Sequence, residues 1–295
     1  MKKILFKGCG TAISTPFDEN GVNLREFENL VENQIQNKVD AIIVCGTTGE
    51  ASTMTTEEKI AIIECAVKTS HGRIPIIAGT GGNNTKQVIE YSKLVEELGV
   101  DGLLIVTPYY NKCTQNGLIE HYKEIAKNVA LPIILYSVSS RTGVNIEPKT
   151  CLELSKIENI VAIKEASGNL SQIAEIAHLC GDNLHIYSGN DDQVLPVLSL
   201  GGIGVISVLS NVIPEYTHNM AQNFLEGNIN TAIKMQLDAL PLVKALFSEV
   251  NPIPVKAALN LLGYQYGIPR LPLTKMSEEK EKVLKDELLK MVHKS

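Results

Sequence analysis

Lys164 is the residue of this chain best placed for covalent chemistry. It closes an apolar run, Ile160-Val161-Ala162-Ile163, and leads into Glu165-Ala166-Ser167-Gly168. A buried ammonium is costly unless it is paired or gives up its proton. A lysine amine without its proton, in a dry cavity, is a nucleophile that condenses with carbonyl compounds to a Schiff base. The same residue also reads as a structural lysine paired with Glu165 or another carboxylate. The aldolase-type reading requires a scaffold, a proton relay and groups that hold carboxylates.

Candidates for those parts follow other apolar runs. Gly46-Thr47-Thr48-Gly49-Glu50 combines small residues, which let backbone amides approach an anion, with two hydroxyl donors. Its plainer reading is a tight strand-to-helix turn. Thr107-Pro108-Tyr109-Tyr110 offers phenols that either pack at an interface or carry protons. Tyr136 ends another run, and Arg141 lies five residues on. A guanidinium there suits a second carboxylate, with an ordinary surface charge as the alternative. Thr15, Ser188-Gly189-Asn190 and Ser207 are further polar run ends. Lys7 also follows an apolar stretch, but it precedes the first run and reads as a surface lysine.

The elements that must position these residues form a repeating pattern. Short apolar runs cover residues 11–15, 41–45, 74–78, 103–107, 133–136, 161–164, 184–188 and 204–208. Helical stretches separate them, at intervals of roughly 25 to 30 residues. Continuous rather than alternating apolar runs suit parallel strands covered on both faces. Eight of them predict an α/β fold, a (β/α)8 TIM barrel, over an open doubly wound sheet. Barrel sites lie at the C-terminal ends of the strands, where the polar residues above fall. Helix starts are predicted at Thr55-Thr56-Glu57-Glu58, at Asn84 or Thr85, and at Glu147-Pro148. Helical periodicity over 230–247, 254–262 and 277–292, interrupted over 263–272, predicts a helical C-terminal region. The expected division is a catalytic barrel over 1–225 and a helical region over 226–295.

Composition narrows the function classes. The chain has 295 residues, a net charge of -6 and no tryptophan. There is no basic stripe, which argues against nucleic acid, and few aromatics for stacking sugars or bases. No apolar stretch is long enough to span a bilayer, and the N-terminus lacks the apolar core of a secretion signal, so a cytoplasmic location is expected. The six cysteines show no CxxC spacing and read as buried free thiols; the six histidines show no HExxH pattern, which leaves a metal site without support.

Taken in order, several motifs resemble the dihydrodipicolinate synthase family, within the pyruvate-dependent class I aldolases that include N-acetylneuraminate lyase. They are Gly10-Thr11-Ala12-Ile13-Ser14-Thr15-Pro16-Phe17, Gly46-Thr47-Thr48-Gly49-Glu50, Ala78-Gly79-Thr80-Gly81 and Thr107-Pro108-Tyr109-Tyr110-Asn111. Then come Tyr136 with Arg141-Thr142-Gly143, Ile163 to Asn169, Gly204 to Val208, and Asn251-Pro252-Ile253-Pro254-Val255-Lys256. The resemblance implies that Lys164 forms the Schiff base with pyruvate. It implies a proton relay of Thr47, Tyr136 and Tyr110, the last entering from a neighbouring subunit. Thr47 and Thr48 hold the pyruvate carboxylate, Arg141 takes the carboxylate of aspartate semialdehyde, and Gly189 and the backbone of Ile206 line the site. It further implies no metal or organic cofactor, and a homotetramer built as a dimer of dimers.

Two departures matter. Ser137 and Ser139 stand where the family usually has Asn and Pro, which predicts a looser loop before Arg141. Members inhibited by lysine often carry histidines after the GTTGE motif and a glutamate on the helix after AGTG; here those places read Thr56, Lys59 and Gln87, while Asn83 and Tyr109 remain as regulatory candidates. Weak or absent lysine feedback is expected. The competing readings are a lyase of sialic acid or of 2-keto-3-deoxy sugar acids, which Arg141 disfavours because a polyol calls for neutral partners, and a non-catalytic ligand-binding barrel.

Overall fold

The computed structural model describes residues 2–292. Its strands are β1 (Gly8–Ala12), β2 (Phe17–Asp18), β3 (Gly21–Val22), β4 (Ala41–Val44), β5 (Ile76–Gly79), β6 (Gly102–Val106), β7 (Ile133–Ser137), β8 (Ile160–Glu165), β9 (His185–Ser188) and β10 (Gly204–Ser207). β2 and β3 make a small antiparallel hairpin. The other eight form a closed barrel in the order β1-β4-β5-β6-β7-β8-β9-β10. This is the (β/α)8 architecture that the eight apolar runs predict. Its strands are buried almost throughout, as strands covered on both faces must be.

The first strand departs from expectation. The run over 11–15 predicts a strand there, but β1 begins at Gly8. Gly10, Thr11 and Ala12 pair with Ala41, Ile42 and Ile43. Beyond Ile13 the backbone leaves the ladder, because the Ser14 amide donates to Asn211 Oδ1 instead. Two glycines and a cysteine in β1 have little strand propensity of their own, so pairing, not composition, sets where it starts.

The chain divides into two compact units. One is centred on Ile77–Ile206. Within it β6, β7, β8 and β9 are paired in parallel with continuous register, apart from a bulge at Ile133/Ile134. Two of its helices, those beginning at Thr85 and Pro148, start where the sequence predicts. Asn84, not Thr85, caps Thr85–Glu96 by accepting from the Gln87 amide, and Thr114 and Asn169 cap Gln115–Asn128 and Leu170–Cys180 in the same way. Each such cap is worth about 1 kcal/mol. Pro148 occupies the first turn of Pro148–Ser155.

The other unit holds Gly8–Ile76 and the chain from Ser207 onward. Thr55 and Glu58 form a full capping box on Thr56–Ser70. Four helices follow β10: Pro214–Leu225, Ile229–Leu246, Ile253–Leu261 and Glu278–Val292. Among the described residues no helix is long and apolar enough to cross a membrane. All six cysteines are free; four are buried, but Cys65 and Cys113 are only half-buried.

His121, on Gln115–Asn128, is buried, with Nδ1 2.9 Å from the Thr85 hydroxyl and Nε2 without a partner. Burial holds its imidazole down at about 4, against 6.5 for the free side chain. Between those values the unfolded chain takes up a proton that the folded chain refuses. Stability from this group is therefore complete above about pH 6.5 and lost as pH falls toward 4. Denaturant unfolding of His121→Gln, compared with wild type at pH 7 and about pH 4.5, is expected to show an acid-side loss smaller by about 2 kcal/mol. Parallel pH dependences would exclude this account.

Candidate active site

Lys164 is the penultimate residue of β8 and is 6% exposed. Tyr136, in the matching place on β7, is its register partner. The Lys164 Nζ lies 4.4 Å from the centroid of the Tyr136 ring, whose π-face answers part of its charge. Among the described residues Lys164 has no carboxylate partner. The structural-lysine reading therefore fails at its named partner. Successive strand residues face opposite ways, so Glu165 points away from Lys164. Its carboxylate accepts from the Ser167 amide and hydroxyl and from Gln172 Nε2. Burial outweighs these bonds and raises the Glu165 carboxyl above the usual range.

Two phenols lie close to this region of the sheet and differ in availability. Tyr187, the β9 register partner of Lys164, stacks on Phe6 at 4.3 Å and donates its hydroxyl to the Phe6 carbonyl. It is committed to packing. The Tyr136 hydroxyl makes no hydrogen bond among the described residues and remains available.

Arg141 is exposed on a helical turn, Ser139–Thr142. The looser loop predicted from Ser137 and Ser139 is not what forms. The amides of Arg141 and Thr142 donate to the Val138 carbonyl, and Gly143 donates to Ser139 and ends the turn at φ +70. A side chain at Gly143 would also strike Lys112 Cε, at 2.6 Å. Ser137 is an active part of the segment: its hydroxyl donates to Asn145 Oδ1 and accepts from the Ile146 amide. Asn145 then bonds Gln172, which bonds Glu165. The Thr107 hydroxyl donates to Thr142, which ties the end of β6 to the same turn. The Ser137 hydroxyl thus fixes the segment that leads into the Arg141 turn.

Gly189 follows β9, and its amide donates to the Glu165 carbonyl at 2.7 Å. A Cβ there would lie 2.6 Å from Ala166 Cβ, so only glycine permits this approach. Ile206 is buried within β10. Tyr110 is different: it is 87% exposed, with φ +72, in the segment after β6. A bulky residue in the left-handed region is strained, and such strain clusters at functional sites. Tyr109 is partly exposed beside it, and Asn83 Nδ2 approaches the Tyr109 carbonyl at 3.5 Å.

In the second unit, Gly46–Glu50 follows β4. Cys45 and Glu50 bracket it with φ of +54 and +55. The Glu50 amide donates to the Thr47 carbonyl, and the Thr15 hydroxyl donates to Gly49. Thr48 is buried, and its hydroxyl accepts from Asn251 Nδ2 at 3.0 Å. Glu50 forms a sealed ion pair with Lys256, at 2.7 Å. Burial pulls the Lys256 ammonium down to about 8 against the opposing pull of Glu50. Both residues stand inside sequence motifs, but 206 residues separate them, so neither motif points to the other.

A buried lysine with no carboxylate partner among the described residues, late in a strand of a (β/α)8 barrel and beside an available phenol, is what a Schiff-base lyase of the class I aldolase type requires. The sequence pattern of the dihydrodipicolinate synthetase family matches residues 5–291, and the chain belongs to that family. The 4-hydroxy-tetrahydrodipicolinate synthase of Caldicellulosiruptor saccharolyticus is 57% identical over 286 residues, 97% of each chain. That of Acetivibrio thermocellus is 54% identical over 288 residues, 98% of each. The crystal structure of the dihydrodipicolinate synthase from Thermotoga maritima superposes with a TM-score of 0.96 at 42% identity, covering 97% of this chain and 99% of that one.

Because Lys164 is buried with no anion to neutralise it, Lys164→Met should remove a cost while breaking no ion pair. Its unfolding temperature should rise by about 2 °C or more, as for a gain of about 1 kcal/mol, while adduct formation with a keto acid is lost. A fall in unfolding temperature would show that the amine supports the fold.

Proposed function

We propose that this chain condenses pyruvate with L-aspartate 4-semialdehyde to give 4-hydroxy-tetrahydrodipicolinate, the first committed step toward diaminopimelate and lysine. The observation that carries this is the buried Lys164, without a carboxylate partner among the described residues and 4.4 Å from the Tyr136 ring centroid, in a chain of this family. The Lys164 amine adds to the pyruvate carbonyl and water leaves, giving an imine. The cationic imine draws electrons from the adjacent methyl, a proton is lost, and an enamine forms. Its carbon attacks the aldehyde of the semialdehyde, and the new alkoxide takes a proton. The amino group of the adduct then adds to the imine carbon, closes the ring and displaces Lys164. The imine itself is the electron sink, so this reading requires neither metal nor organic cofactor.

Each stage moves a proton, and we assign the relay to Tyr136, Thr47 and Tyr110. Thr47 and Thr48 take the pyruvate carboxylate. Arg141, on its hydrogen-bonded turn, forks the carboxylate of the semialdehyde. Gly189 and the backbone of Ile206 line the site. Tyr110, strained and almost fully exposed in its own chain, suits donation to a neighbouring subunit, within a homotetramer arranged as a dimer of dimers. The division into a catalytic barrel over 1–225 and a helical region over 226–295, a cytoplasmic location, and weak lysine feedback with Asn83 and Tyr109 as the remaining regulatory candidates complete the reading. A sialic-acid or sugar-acid lyase is disfavoured by Arg141, and a mere binding barrel by Lys164.

Borohydride added with pyruvate, followed by intact mass and peptide mapping, should give a reduced adduct on Lys164 alone. An unmodified Lys164 would leave the chemistry without its first step. Tyr110→Phe should cut kcat by about 10²-fold or more while pyruvate trapping persists. Unchanged turnover would remove Tyr110 from the relay.

A further inference from the structure

The Glu50 carboxylate closes the Gly46–Glu50 turn and is held from two sides. Lys256 Nζ donates to Oε1 at 2.7 Å, and the Arg270 amide donates to Oε2 at 2.9 Å. Lys256 also donates to the Ile268 carbonyl at 3.3 Å. The Phe17 ring takes Lys256 Nζ at 4.1 Å and the Arg270 guanidinium at 4.0 Å. The Arg270 guanidinium is itself fixed by both Glu58 oxygens and by the Thr53 carbonyl. No solvent reaches the pair to speak of: the side chains are 1% and 2% exposed.

Packing alone does not explain such an arrangement, since apolar residues of similar volume commonly fill a site of this kind at equal or better stability. A charged pair adds a defined geometry, because its attraction and hydrogen bonds are lost if either end shifts. The turn it grips is strained at both ends, at Cys45 and Glu50, and would relax if released. Between those ends lie Thr47 and Thr48. The Thr48 oxygen already accepts from Asn251, which leaves its own O–H free to donate to an anion.

We propose that the Glu50–Lys256 pair is a positioning element for keto-acid binding. It holds the strained turn so that Thr47 and Thr48 meet the substrate carboxylate, and it does so without touching substrate. This inference rests on the functional reading above. It makes the pair a determinant of pyruvate affinity, separate from the lysine chemistry of Lys164.

Two variants of the full chain test it. Glu50→Asp keeps the charge and suits a left-handed backbone, but it draws the carboxylate back by one methylene. Glu50→Gln/Lys256→Met removes both charges together, so that neither is left buried alone. For each, unfolding temperature, kcat and the KM of both substrates are measured. The expected result is a near-native unfolding temperature, a pyruvate KM raised about tenfold or more, kcat within about threefold, and an unchanged KM for the semialdehyde. A folded variant with wild-type pyruvate KM overturns the proposal. So does a Glu50→Asp chain that fails to fold, because the pair would then serve the fold alone. Should the double variant fail to fold, Glu50→Asp decides. Wild-type trapping with borohydride separates the two levels: no adduct on Lys164 sinks the functional reading, whereas an adduct with unaltered KM in the variants sinks only this inference.

Discussion

An ammonium taken out of water must be answered by something, and among the described residues two lysines are buried and answered in opposite ways. Lys256 receives a carboxylate at 2.7 Å, a carbonyl and an aromatic face. Lys164 receives an aromatic face only. The first arrangement keeps a charge in place and makes the surrounding segments rigid. The second leaves an amine with no carboxylate partner among the described residues, the feature on which the proposed chemistry rests. The Lys164 arrangement depends on alternation along its strand: one residue of shift at β8 would exchange the surroundings of Lys164 with those of Glu165.

The groups proposed to hold substrate carboxylates are positioned by hydrogen-bonded turns more than by strands. The segment carrying Arg141 is fixed by the Val138 carbonyl, the Gly143 terminus and the chain of bonds from Ser137 through Asn145 and Gln172 to Glu165. The Gly46–Glu50 turn is fixed by Thr15, Asn251 and Lys256. Among the described non-glycine residues at positive φ, Cys45, Glu50 and Tyr110 all fall in segments that follow strands and carry proposed functional groups. Strain of that kind persists only where the surroundings over-determine the backbone.

Much of this was legible in the residue order. Eight apolar runs with helical segments between them require a parallel sheet with both faces covered, and the strands fall close to the runs. Thr55, Asn84 and Pro148 mark helix starts because capping chemistry is local. Lys164 and Tyr136 stand out because each puts a polar group at the end of an apolar run. The start of β1 was not legible, since glycine and cysteine carry little strand signal of their own and Gly10 is fixed by its pairing with Ala41 of β4. The firmness of the segment before Arg141 was also hidden. Serines read as flexible until the partners of their hydroxyls are known.

The sequence by itself determined the kind of barrel and singled out the candidate amine and the phenol beside it, because periodicity and polarity at run ends are properties of neighbouring residues. Only the tertiary structure decided that Glu165 faces away from Lys164, that Glu50 belongs to Lys256 and that Tyr110 is held outward. Those outcomes depend on which side chains meet after residues as much as 206 positions apart are brought together, and desolvation and pairing are fixed only at that point.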